Sequence, residues 1–75
     1  MFGLIEDQVL AKFKRFQDLQ PGMAVLTPNG TGIVAGKHIY EGRMEILVDH
    51  GDRLNKVVIV CAYSVDQVQE GRYGD

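Results

Sequence analysis

The hydrophobic pattern of this chain changes period once, at Pro21-Gly22, and that change separates a helical stretch from a run of strands. Before it, Ile5, Val9, Leu10, Phe13 and Phe16 recur at steps of about three and four, which lines one side of a helical spiral. A helix over residues 3–19 is predicted. Glu6 and Asp7 fall in its expected first turn and Lys12, Lys14 and Arg15 toward its last turns, each sign at the end of the dipole that favours it. Pro21 ends it, because Gln20, as the residue before a proline, is disfavoured from helical backbone.

Beyond Gly22 apolar and polar residues alternate. Met23 to Thr27 reads as a short strand stopped by Pro28, and Asn29-Gly30-Thr31-Gly32 as a turn whose first two residues tolerate positive φ. Gly32 to Tyr40 follows as a strand, with Gly36 marking a bulge or bend. Glu41-Gly42 turns the chain into a strand over Arg43 to Asp49, and His50-Gly51-Asp52 into another over Leu54 to Tyr63. The Val57 to Ala62 run is apolar throughout, which predicts burial on both faces. Ser64 to Gln67 reads as one helical turn, Val68-Gln69 as a last strand and residues 71–75 as a flexible tail. The expected core is Val25, Ile33, Ile46, Val48, Val58 and Val60, and positive φ is expected at Gly30 and Gly51.

Five short strands joined by glycine turns, with one helical turn before the last, resemble the SH3-like small barrels. Pro21-Gly22-Met23-Ala24-Val25-Leu26-Thr27-Pro28-Asn29-Gly30-Thr31-Gly32-Ile33-Val34 is similar to the opening strand, turn and second strand of the polymerase-interacting domain of CarD-type transcription regulators. The closing Val60 to Val68 is similar to the strand, turn and strand that end such domains. The resemblance covers residues 21–70 and implies a mainly β fold, a five-stranded SH3-like barrel preceded by one N-terminal amphipathic helix over residues 1–20. It also implies a transcription-machinery or nucleic-acid accessory role. Type II dihydrofolate reductases use the same barrel at this size and carry Val-Gln-Ile-Tyr in the strand before the helical turn. Val57-Val58-Ile59-Val60 stands there in this chain, without the glutamine or the tyrosine, so their hydride transfer is not carried over.

Charge bears on the accessory role. Eight Lys and Arg against ten Asp and Glu give a net charge of −2. A domain that grips phosphates usually has a basic face and a pI above about 9. The one basic cluster, Lys12, Lys14 and Arg15, reads first as the solvated side of the helix, so nucleic acid is not the favoured partner. No apolar run reaches the roughly 18 residues that span a bilayer, and Met1 to Asp7 lacks the basic start of a secretory signal. One cysteine, Cys61, cannot make an internal disulfide, which suits a reducing cytoplasm.

No catalytic, cofactor-binding or metal-binding residue is assigned. Asp49, His50 and Asp52 have metal-ligand chemistry but are consecutive around Gly51, with no fourth ligand at a recognisable spacing, so they read as an exposed turn. His38 beside Tyr40 reads as a surface pair. Cys61 sits between Val60 and Ala62, which predicts a buried, inert thiol. Gly30-Thr31-Gly32 opens a strand rather than a helix and lacks the lysine of a phosphate loop. Ser64, Asp66 and His50 have no triad spacing.

The reading that remains is a small, non-catalytic protein-interaction module. Phe2, Ile5, Val9, Phe13 and Phe16 form a stripe with the spacing of a helix–helix seam, and soluble monomers avoid leaving such patches in water; the alternative is that the helix folds back across an open end of its own barrel. The partners expected are a second copy of the chain and another protein. The alternatives are the accessory role above and an oligomeric small-barrel enzyme with its site at a symmetric interface.

Overall fold

The structure, a computed structural model, describes residues 2–52 and 54–71, and side chains from Val9 onward. The side chains of Phe2 and Ile5 of the expected seam, and residues 72–75 of the expected tail, therefore lie outside what is described. Among the described residues the architecture is mainly β: one N-terminal helix and five antiparallel strands.

Helix α1 runs over Phe2–Asp18. Its start, one residue earlier than the periodicity suggested, moves Glu6 and Asp7 out of the first turn and leaves that turn without an acid. Then come β1 (Ala24–Thr27), β2 (Gly30–Tyr40), β3 (Arg43–Asp49), β4 (Val60–Ser64), a single 3-10 turn (Val65–Gln67) and β5 (Gln69–Glu70). The strands lie in the order β4-β3-β2-β1-β5. β4 and β5 end the sheet on opposite sides, so its hydrogen-bonded ladder is open rather than closed into a barrel.

Local chemistry explains the corners. Gly30 has φ +106°, as expected of the Asn-Gly turn, and Thr27 pairs with it across that turn. Glu41 (φ +50°) and Gly42 (φ +76°) are both left-handed, the two-residue hairpin geometry that fits the twist of β2 and β3. The register between those strands shifts by one residue between Val34 and Gly36, which is the bulge that Gly36 signalled.

The core consists of Leu19, Val25, Val34, Ile46, Val48, Tyr63, Val65 and Val68, with Phe16, Met23, Met44 and Cys61 packed against it. Val25, Ile46 and Val48 were expected there. Ile33 is only half-buried, because the core face of β2 is the one that carries Val34. Val58 and Val60 are exposed, at 72% and 48%, and the expected strand over Leu54 to Tyr63 shrinks to Val60–Ser64. The reason is topological. β4 is an edge strand with only its Cys61 and Tyr63 side toward the core, so an apolar run there is not covered on its second face. Residues 54–56 form a turn, with Lys56 at φ +55° and the Val57 N–H donating to the Asp52 carbonyl at 2.8 Å.

Gly51 is not at positive φ, contrary to expectation. A side chain is excluded there for another reason: a Cβ would collide with the Val57 carbonyl and lie 2.9 Å from the Asp49 carboxylate.

Candidate functional site

Three surfaces carry the chemistry of this chain: the outer side of α1, a polar cluster at one end of the sheet, and the free edge of β4.

Among the described side chains, α1 is anchored by its C-terminal part. Phe16 packs on the core and Leu19, just past the helix, is 2% exposed. Lys37 of β2 caps the end: its ammonium donates to the carbonyls of Phe16 (2.8 Å) and Gln17 (3.3 Å) and sits 5.1 Å from the centre of the Phe16 ring. A cation at that end meets unpaired carbonyls and the negative pole of the helix, and the ring adds a cation–π contact. One turn earlier Lys12 bridges to Asp66 of the 3-10 turn at 2.9 Å. Val9, Leu10 and Phe13 remain 56%, 63% and 47% exposed. Of the expected seam, then, Phe16 is turned onto the chain's own core, whereas Val9 and Phe13 face outward.

The basic residues do not make one positive face. Lys12 is paired with Asp66, and Lys14 and Arg15 line a groove with Asp18 and Glu70 as well as Ala11, Leu19 and Gln69. Acids interleaved with bases at this spacing cancel the field that a polyanion would need.

The polar cluster is built from residues far apart in sequence. The His50 Nδ1 lies 3.0 Å from the Thr31 carbonyl, and its Nε2 lies 2.7 Å from the Tyr63 hydroxyl. A carbonyl only accepts, so in the neutral ring Nδ1 carries the proton and Nε2 accepts from Tyr63. The Asn29 amide in turn donates to the Tyr63 oxygen at 2.8 Å. Thr27, buried beside them, donates to the Gly30 carbonyl at 2.8 Å and accepts from the Asn29 N–H at 3.2 Å. Each group has its partner inside the cluster, and the rings of His50 and Tyr63 meet edge to face at 5.7 Å. The arrangement ties the β1–β2 turn to β3 and β4. Both ring nitrogens of His50 are engaged by groups of its own chain, and its ring lines a shallow pocket with Thr31, Ile33 and Asp49.

The acids beside it are also engaged. Asp49 Oδ1 accepts from the Gly51 N–H at 2.7 Å and the Ile59 N–H at 3.2 Å. Asp52 accepts from the Leu54 N–H and the Asn55 amide, at 2.9 and 2.6 Å. Their carboxylates hold the 49–59 loop, as turn aspartates do. His38 pairs with Glu45 across β2 and β3 at 2.8 Å, with Tyr40 beside it. Ser64, Asp66 and His50 do not converge: His50 belongs to Tyr63 and Thr31, and Asp66 to Lys12. Cys61 is a free thiol, half-buried against the core rather than enclosed.

At the β4 edge, Leu54, Val57, Val58, Ile59 and Val60 are all exposed. The chain matches no protein-family model, no curated protein and no solved structure. No helix among the described residues is long and apolar enough to cross a membrane.

Sequence reasoning missed Leu19 and the Tyr63 cluster. Leu19 continues the helical stripe three residues after Phe16, and that signal was present. The partnership of Asn29 with Tyr63 spans 34 residues and has no local signature.

Proposed function

We propose that this protein is a small non-catalytic interaction module, an SH3-like barrel that self-associates through its N-terminal helix. The barrel reading is supported by the strand order, in which β5 returns to pair with β1, and by the single 3-10 turn before it. The core of such a sheet needs a cover on its open end, and Phe16 with Leu19 supplies it.

The observation that carries the functional reading is the exposure of Val9, Leu10 and Phe13 on a helix already anchored to its own sheet. The intramolecular cover is complete at Phe16, yet the apolar stripe continues for two more turns. Side chains at these steps fit the seam of a second helix, and a two-fold pairing would cover the same residues in both copies. Lys12 and Asp66 would then flank the seam rather than enter it.

Analytical ultracentrifugation at micromolar concentration tests this. The expected result is a mass above 8.4 kDa that falls in Phe13→Asp, with the strand signal in circular dichroism unchanged. An unchanged mass in that variant would overturn the seam.

A further inference from the structure

The free edge of β4 has a built-in polarity. The Ile59 N–H donates to Asp49 Oδ1 and its carbonyl accepts from the His50 N–H at 2.8 Å, so both backbone groups of Ile59 point toward β3. Backbone groups alternate in direction along a strand. Cys61 and Tyr63 therefore point toward β3 as well, and the N–H and C=O groups of Val60 and Ala62 point away from the sheet; Val58, just ahead of the strand, continues the same parity through Ile59. Ser64 has the same parity, but its N–H donates to the Gln67 side chain at 3.3 Å, which ends the open edge. The side chains follow the same alternation: Cys61 and Tyr63 turn to the core, Val60 and Ala62 away from it.

Natural sheet edges are usually blunted by a lysine, a proline, a bulge or a covering loop. This one carries no charged residue and no proline from Val57 to Val65. Its charges stand at its two ends and differ in sign. Lys56 precedes the run, and Asp66, bridged to Lys12, follows it, with Glu45 of β3, paired to His38, opposite Ser64.

We infer that this edge is a second self-association surface, at which β4 of one copy pairs antiparallel with β4 of another about a two-fold axis at Val60. The centring on Val60 follows from the backbone. It sets Val60 against Val60 and Val58 against Ala62, so every outward N–H and C=O of the edge finds a partner. The apolar outer side chains then meet apolar ones along the whole contact. Antiparallel pairing also lays the Lys56 end of each strand beside the acidic end of the other, whereas parallel pairing would set like charges together. This surface is distinct from the helix seam. With both in use, two different two-fold contacts per chain build a closed tetramer or an open chain of copies.

Disulfide trapping tests the pairing directly. A mutually hydrogen-bonded antiparallel pair has its Cα atoms about 5.5 Å apart, inside the roughly 4.4–6.8 Å range of disulfides. In the full chain with Cys61→Ser, Val60→Cys is expected to give a disulfide dimer under mild oxidation. Val58→Cys in the same background faces Ala62 rather than itself and is expected to cross-link about tenfold more slowly, its thiols lying beyond bonding reach. The trap is also run with Phe13→Asp present, where the Val60→Cys dimer is expected to persist; its formation there does not depend on the helix seam. No dimer of the Val60→Cys variant, or equal trapping at positions 58 and 60, overturns the inference. A strand of another protein at this edge would give the first of these outcomes.

Discussion

At the scale of single residues, the cluster around Tyr63 shows how much of this fold hangs on one hydroxyl. That oxygen links the His50 ring to the Asn29 side chain, and so the β3 end to the β1–β2 turn. Tyr63→Phe keeps the ring in the core and removes only the link. The expected cost is about 1–2 kcal/mol, since the half-buried His50 nitrogen loses its donor while exposed Asn29 turns to water. For a domain of this size that lowers the melting temperature by roughly 4–8 °C per kcal/mol, and a thermal melt reads it. Gly51 is a second such position. Gly51→Ala drives a methyl into the Val57 carbonyl, and the expected destabilisation is about 1–3 kcal/mol. A melt as stable as the parent would show that the 49–59 loop can shift at little cost.

The elements differ in how much of them can be read from sequence. α1 was legible because its stripe, its basic end and Pro21-Gly22 agree. β2 and β3 were legible because Glu41-Gly42 sets a two-residue hairpin and Gly36 marks the bulge. β4 was not, because a continuous apolar run looks alike whether a sheet covers it on two faces or one. Only the strand order tells that Val58 and Val60 lie at an edge. The same local blindness hid the site: the stripe on α1 could be seen, but not which of its phenylalanines the sheet would cover. These assignments have different energetic consequences. Ile46→Ala, at a fully buried site, is expected to cost about 2–5 kcal/mol. Val58→Ala is expected to stay within about 0.5 kcal/mol, because the side chain is already in water. Denaturant titrations of the two variants separate them, and equal losses would mean that β4 is covered on both faces.

For the molecule as a whole, shape and surface point the same way. A compact chain of this length has a radius of gyration of roughly 11 Å, whereas this one has 13.6 Å and extents of 51 × 33 × 18 Å. The 17-residue helix, packed on the core through Phe16, contributes to that elongation. Such a form keeps a small core and a large apolar exterior, which a second copy can cover more readily than the chain itself. Internal chemistry is spent on holding turns, with Asp49, Asp52, His50 and Tyr63 all satisfied by their own chain. Apolar side chains on α1 and beside β4 are exposed among the polar ones, and the proposed self-association rests on them. The most direct test is the mass in solution of the parent chain and of Phe13→Asp, measured side by side by light scattering at micromolar concentration. The account predicts an associated parent and a smaller Phe13→Asp species with its strands intact. A single 8.4 kDa species in both would contradict it and confine the helix to its own sheet.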